Sequence, residues 1–289
     1  MWEGAVTTTV QQRRRALRKL HEASSIFVMP HPWDIGTARY LQHLGFKALS
    51  TTSAGIAFSQ GFPDTEWAVP RDMMLDHIRE IVEATHLPVS ADFEAGYAHE
   101  PEGVASNVRL CMTTGVAGLT LEDLTNDANR RLYPVELAAE RIAAARAAID
   151  DVAAGAVLTA ATDSLQVGEG SFDDALRRLV AYAEAGADCL YAQGLLSREQ
   201  ISTLVKAVAP KSLQILVPSH APFTMKELEE LGVRCISGGS GLCRVAWGSF
   251  MQSARKLSQG SLEIYDAAVP FPEINGFFRQ DLAKGRRKL

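Results

Sequence analysis

The chain is poor in the features that would set it apart from ordinary globular enzymes. It has four cysteines in 289 residues, and none falls in a CxxC pair, so the common zinc-ligand and dithiol motifs are excluded. Cys111, Cys189, Cys235 and Cys243 each lie in or beside an apolar stretch and are expected to be reduced core thiols. No apolar run approaches the roughly 20 residues that a membrane span requires. Neither sign of charge dominates: 29 Lys and Arg stand against 34 Asp and Glu, a net charge of -5. That balance argues against nucleic acid or an anionic membrane as the main partner. Arg13, Arg14 and Arg15 are followed by Lys19, His21 and Glu22 rather than by an apolar segment. No secretory signal is read there, and a cytoplasmic location is expected. No strand candidate is followed by GxGxxG, which weakens an open, dinucleotide-binding sheet, the runner-up architecture.

What is present is a repeated junction in which a helix ends in Gly and a short apolar strand follows. It occurs at Gly45 before KALSTT, Gly115 before AGLTLED, Gly186 before DCLYAQ and Gly232 before RCISGG. Glycine just past a helix supplies a left-handed cap, and the apolar run suits a strand buried on both faces. Four further strand candidates, IFVMP, LPVSADF, AVLTAAT and LQILVPS, bring the number to eight, with helical patterns between them. Strict alternation predicts parallel pairing, and eight units predict an α/β fold of the (β/α)8 TIM-barrel class. The expected organisation is an arm and first helix over 1–20, the barrel over 21–257, and a tail over 258–289. The tail either packs on a neighbouring subunit or frays.

Barrel active sites form at the C-terminal ends of the strands. Applied here, that rule brings together His31, Trp33 and Asp34 after strand one, and Thr52, Ser53, Ala54 and Gly55 after strand two, with Asp64 in the loop beyond. Asp92, Glu94 and Tyr97 end strand three, Glu122 and Asp123 strand four, and Asp163 strand five. Gln193 ends strand six, His220 strand seven, and Ser237 to Ser240 strand eight. Clustered carboxylates raise one another's pKa unless a cation sits among them. Oxygen-only ligands point to Mg²⁺, with Mn²⁺ as the alternative ion. Asp123 and Asp163 are equally open to a salt-bridge or capping role.

The segments PHPWDIGTAR, GFKALSTTSAGIAFSQGFPD, PVSADFEAGYA, GVAGLTLED and AGADCLYA, taken in order, resemble the isocitrate lyase/phosphoenolpyruvate mutase superfamily across roughly residues 25–255. The resemblance implies a barrel with a swapped last helix, a homotetramer, and a Mg²⁺ site serving a small carboxylate substrate. It implies Asp92 as the principal metal-binding aspartate of a D-x-D-x-G-Y motif, in which Glu94 replaces the second aspartate. By the same resemblance Glu122 is the acid of the strand-four L-E-D motif, and Asp64 orders the metal's waters. Thr52, Ser53, Ala54 and Gly55 would hold the substrate carboxylate, Trp33 and Asp34 would complete its pocket, and His220 would supply a proton.

Two departures narrow the chemistry. The lyase branch of the family carries a K-K-C-G-H loop after strand four, and the mutase branch a lysine-bearing loop. Here the stretch 124–136 reads LTNDANRRLYPVE, with no Cys, Lys or His. The family's strand-five arginine is Ala161. The expected activity is therefore a Mg²⁺-dependent carbon–carbon lyase or decarboxylase acting on a small 2-oxo or 2-hydroxy dicarboxylate, oxaloacetate-like, through an enolate. A hydrolase of the same superfamily acting on an oxaloacetate-like or phosphonate substrate is one alternative. A metabolite-binding barrel without turnover is the other.

Overall fold

The computed structural model describes residues 8–65, 67–125, 131–168, 170–194, 196–217, 222–266 and 268–284. Its strands are β1 (Phe27–Met29), β2 (Leu49–Ser50), β3 (Val89–Asp92), β4 (Gly118–Leu121), β5 (Val157–Thr162), β6 (Cys189–Ala192), β7 (Ser212–Leu216) and β8 (Cys235–Ser237). All pair in parallel, in the order β1-β8-β7-β6-β5-β4-β3-β2. Between the two ends of that order, the Ser50 N–H donates to the Pro30 carbonyl at 3.1 Å and brings the ring almost to closure. The eight strand candidates therefore form the expected (β/α)8 barrel.

The helices are α1 (Val10–Glu22), α2 (Ile35–His43), α3 (Ser53–Ser59), α4 (Arg71–Ala84), α5 (Pro101–Thr113) and α6 (Val135–Val152), then α7 (Phe172–Glu184), α8 (Arg198–Val208), α9 (Met225–Glu230), α10 (Gly241–Ser258) and α11 (Phe271–Ala283). The four junction glycines have φ of 86, 85, 106 and 97°, a region that residues with a side chain enter only under strain. The repeat seen in the sequence is thus a backbone requirement. Helix α6 shows the local logic: Pro134 presets its start, and its alanines favour helix intrinsically. Its Ala138, Ile142, Ala145 and Ile149 are buried.

The bottom of the barrel is plugged by α1. Leu17 is fully buried among Phe27, Met29, Ala48, Ala117, Val157, Cys189 and Cys235, most of them at or near the N-terminal ends of the strands. Gly118 makes room for it, since a Cβ there would lie 3.1 Å from a Leu17 methyl and 2.6 Å from the Val157 carbonyl. The arginines of α1 serve as anchors. Arg13 donates to the Val82 carbonyl, Arg14 to Val116, and Arg18 to Ala156 and to the Asp188 carboxylate. The four cysteines are free and buried, as the sequence implied, and no described helix is long and apolar enough to cross a membrane.

The last two helices behave differently from the rest. Helix α10 buries only Cys243 and exposes Leu242, Val245, Trp247, Phe250 and Met251. Helix α11 returns to α2 of its own chain. There Phe277 meets Tyr40 edge-on at 5.1 Å, and Asp281 pairs with Arg39 at 3.3 Å with both side chains buried.

The plug yields a stability prediction. Leu17→Ala should destabilise the fold by about 2–5 kcal/mol, as large-to-small changes in packed cores do. Urea unfolding followed by circular dichroism measures it, and a loss below about 1 kcal/mol would mean that α1 does not close the barrel.

Candidate active site

The C-terminal mouth of the barrel opens into a cavity of about 1160 Å³. Asp64, Asp92, Glu94, Glu122 and Asp163 all line it, together with Thr52, Ser53 and Ala54. The structure thus gathers most of the acids expected from the strand-tip rule. Asp123 is the exception. It is buried behind the cavity, where it accepts hydrogen bonds from Thr162, the Asp163 N–H, Arg178 and Tyr182. Of the two acids left open by the sequence, Asp123 holds β4, β5 and α7 together, and Asp163 faces the site.

Asp92 is held asymmetrically. Its Oδ2 accepts both the N–H and the O–H of Ser53, each at 2.8 Å, and its own N–H donates to Thr51 Oγ1. Its Oδ1 is buried and has no hydrogen-bond partner. A bare carboxylate oxygen out of water is costly unless a cation meets it.

Glu94 is bound differently. Its Oε1 accepts from the Tyr97 hydroxyl at 2.5 Å and its Oε2 from the Trp67 N–H at 2.7 Å. Glu94, Tyr97 and Trp67 have φ of 46, 56 and 60°, the positive-φ residues other than glycine among those described. Such strain persists only where neighbouring contacts over-determine it, and here the two hydrogen bonds supply the contacts. Burial pushes the Glu94 carboxyl up to about 7, and the charges of Asp92 and Asp64 add to the effect. Glu122 accepts from Gln193 at 2.9 Å; burial, then Asp163 and Asp92, raise it well above the carboxylate range.

Several expected roles are corrected by the geometry. Asp34 caps α2 by accepting from the Thr37 N–H at 2.7 Å, so its carboxylate is spent outside the cavity. Trp33 packs against the hydrophobic core rather than lining the cavity. The N–H of Ser53 goes to Asp92 and that of Gly55 to Thr52, so neither is left for a substrate anion. Gly55 is a close-packing position, where a Cβ would sit 2.6 Å from Thr52 Cγ2 and 2.9 Å from Trp33 Cβ. Both ring nitrogens of His31 are engaged, by the Thr51 carbonyl and by Ser237. His220 lies outside the described residues.

The cavity also holds residues the strand-tip rule did not single out. Tyr191 and Gln214 line its floor from within β6 and β7, and Arg244 lines its rim from the first turn of α10. Arg131 stands on the opposite loop and donates to the Val167 carbonyl. That loop is pinned at its base by a Leu124–Leu132 bridge and by the Thr125 N–H on the Arg131 carbonyl at 2.7 Å. Only the SGGSG stretch after strand eight hinted at Arg244, because it carries the chain from the barrel mouth straight into α10.

Whether these residues fit Mg²⁺ turns on Asp92. No group of three or more His, Cys, Asp or Glu among the described residues is placed to hold a metal ion by itself. An open site is what Mg²⁺ prefers, since it keeps several waters and takes one or two direct carboxylates. The unpartnered Oδ1 of Asp92 meets that requirement, and Glu122, just past the end of β4, lines the same cavity with carboxyl oxygens.

Comparison with known proteins agrees with this picture. The family model described as phosphoenolpyruvate phosphomutase matches residues 17–258. The 2,3-dimethylmalate lyase of Eubacterium barkeri is 28% identical over 271 residues, covering 90% of this chain and 91% of its own. A crystal structure from Burkholderia cenocepacia J2315, provisionally described as a lyase or mutase, superposes with a TM-score of 0.87 at 40% identity, covering 93% of this chain and 96% of that one. The structure of an oxaloacetate acetylhydrolase with its product oxalate superposes at 0.81 with 29% identity, covering 94% and 96%. The barrel, the acid-lined mouth and these matches together make the chain a member of the phosphoenolpyruvate phosphomutase family within the isocitrate lyase/PEP mutase superfamily.

Proposed function

We propose that this chain is a Mg²⁺-dependent enzyme, with Mn²⁺ as a substitute ion, that cleaves a carbon–carbon bond of a small 2-oxo or 2-hydroxy dicarboxylate through an enolate. The observation that carries the reading is the buried, unpartnered Oδ1 of Asp92 in an acid-lined cavity. Asp92 and Glu122 would hold the ion, with Glu94 and Asp64 acting through water. When bound, the ion supplies Lewis-acid charge for an enolate oxygen. Ser53 fixes the direction of Asp92, and Thr52 and Ser53 flank the substrate. Arg244 and Arg131, on the rim, provide cationic charge for substrate carboxylates in the absence of an arginine at position 161. Substrates of oxaloacetate size fit this reading, as do relatives named for 2,3-dimethylmalate and oxaloacetate.

The exposed apolar face of α10 supports an assembly in which this helix packs on a second copy, giving the swapped homotetramer. The four buried, free thiols suit a reducing compartment, and we place the enzyme in the cytoplasm.

Three outcomes follow. Asp92→Ala should lower kcat with oxaloacetate or 2,3-dimethylmalate by about 100-fold or more and abolish the rise in melting temperature on adding Mg²⁺. Activity that survives with unaltered metal dependence would refute the assignment. Glu94 gives a pH test in metal-free protein. Its folded pKa of about 7 lies above the ordinary 4.5, so its contribution to stability is present below pH 4.5 and is lost as pH rises through 7. Glu94→Gln should therefore gain about 2–3 kcal/mol on wild type between pH 4.5 and 8, at about 1.4 kcal/mol per unit. Urea melts in EDTA check it; parallel stability curves would refute it. Finally, Val245→Asp with Phe250→Asp should convert the tetramer to smaller species in light scattering, and an unchanged mass would remove α10 from the interface.

A further inference from the structure

Three polar side chains, of which Tyr191 and His31 line the cavity and Ser237 is buried between them, form a line outside the proposed metal site. Tyr191 lines the cavity and directs its O–H to Ser237 Oγ at 3.3 Å. Ser237, fully buried at the end of β8, lies 2.9 Å from His31 Nε2. His31 Nδ1 lies 2.9 Å from the Thr51 carbonyl.

Donor accounting sets the direction of this line. A carbonyl only accepts, so Nδ1 carries a hydrogen, and in the neutral ring Nε2 is left as an acceptor. Ser237 Oγ also accepts the Gly239 N–H at 3.3 Å, so its two lone pairs are taken by Tyr191 and Gly239. Its own hydrogen therefore goes to Nε2. Burial keeps His31 neutral against the opposing pull of Asp92. Burial, reinforced by Glu122, Asp163 and Asp92, keeps Tyr191 protonated despite its bond to Ser237. Every hydrogen in the line points away from the cavity, and the end that faces a substrate is the lone-pair side of the Tyr191 oxygen. A line in this state takes a proton before it can return one.

We infer that Tyr191, backed by Ser237 and His31, is the catalytic proton acceptor for the hydroxyl of a 2-hydroxy acid, which makes 2-hydroxy acids the preferred substrates. The inference rests on the enolate reading above and selects within it. The hydroxyl proton moves to the Tyr191 oxygen, the phenol proton to Ser237 Oγ, and the serine proton to His31 Nε2, giving an imidazolium held between Ser237 and the Thr51 carbonyl. The electron pair left on the substrate oxygen forms the new carbonyl of a 2-oxo acid. The C2–C3 bond breaks, and its pair enters the enolate of the departing carboxylic acid. The stored proton returns along the same line to the enolate carbon, so the reaction balances without an outside acid. A 2-oxo substrate brings no such hydrogen.

The neighbours of Tyr191 in the sheet agree with a substrate-facing role. Its register partners are Ala161 in β5 and Gln214 in β7. At Ala161 a methyl group stands beside the phenol where the family resemblance leads one to expect an arginine. Gln214 is 1% exposed, and its Oε1 has no partner, so it can accept a second hydrogen bond from the same substrate.

The test compares 2,3-dimethylmalate and 2-methylisocitrate with oxaloacetate in the presence of Mg²⁺, following the 2-oxo acid products. Wild type should favour a 2-hydroxy acid. Tyr191→Phe and Ser237→Ala should each lower its kcat about 100-fold or more with KM within about twofold, while Ser237→Thr recovers most of the rate. Melting temperature and Mn²⁺ binding should stay at wild-type values, which separates proton transfer from folding. The ring-nitrogen NMR shifts of His31 should report the neutral Nδ1–H form, and the Nε2–H form would overturn the inference. Wild-type rates in Tyr191→Phe, or cleavage of oxaloacetate alone, would overturn it while leaving the enolate reading intact. Metal binding without cleavage of either class would overturn both.

Discussion

Both hydrogens that Ser53 can offer go to the same oxygen of Asp92, and the character of the mouth follows from that asymmetry. The shared oxygen is satisfied twice; the other is buried with nothing to accept from. Had Ser53 bridged both oxygens, the carboxylate would be a closed structural unit like Asp123. Because Ser53 opens α3 directly after β2, the clamp also ties the second and third strand ends together. The acid is thereby fixed by backbone, so its free oxygen keeps one direction.

Glu94 shows a second form of preorganisation. One methylene longer than the aspartate expected by family resemblance, its side chain folds back to Tyr97 and the Trp67 N–H. Left-handed backbone at three residues with side chains costs of order 1–3 kcal/mol each. The hydrogen bonds that offset it, from the Tyr97 hydroxyl and the Trp67 N–H, both end on the Glu94 carboxyl group. Glu94 thus shapes the loop between α3 and α4 while remaining on the cavity wall.

The barrel was legible because its signals are local. Glycines at helix ends and apolar runs of four to seven residues do not depend on distant partners. The acids Asp92, Glu94, Glu122 and Asp163 were legible for a related reason, since strand tips in this architecture converge on one mouth. What stayed hidden required knowing which donors meet which acceptors. Nothing in TTSAG reveals that Ser53 and Gly55 spend their N–H groups inside the protein, and Asp34 reads equally well as a ligand or a helix cap. Tyr191 sits in the middle of an apolar strand, where a tyrosine is ordinarily packing. Only the register with Ala161 and Gln214, and the hydroxyl of Ser237 from β8, mark it as part of a polar line. The arginines of α1 looked like a targeting feature to be dismissed, and their role became visible only against the strand-start carbonyls they meet.

The charge balance of the cavity constrains how any dicarboxylate can enter it. Five carboxyl groups line the wall, and the arginines Arg131 and Arg244 stand at the rim. The upward shifts of Glu94 and Glu122 arise from burial and from the neighbouring acids, so the wall already resists its own ionisation. An entering dicarboxylate adds to that repulsion. The interior guanidinium that the family resemblance predicts at position 161 is absent, and among the described residues Arg131 and Arg244 are the arginines that line the cavity. Under the proposed reading, a cation at Asp92 then serves substrate binding as well as chemistry, because it offsets the negative field of the five acids where the substrate must sit. The neutral floor residues Tyr191 and Gln214 fit the same logic: next to so many acids, uncharged groups that relay or accept a hydrogen can contact a substrate oxygen without adding to the repulsion.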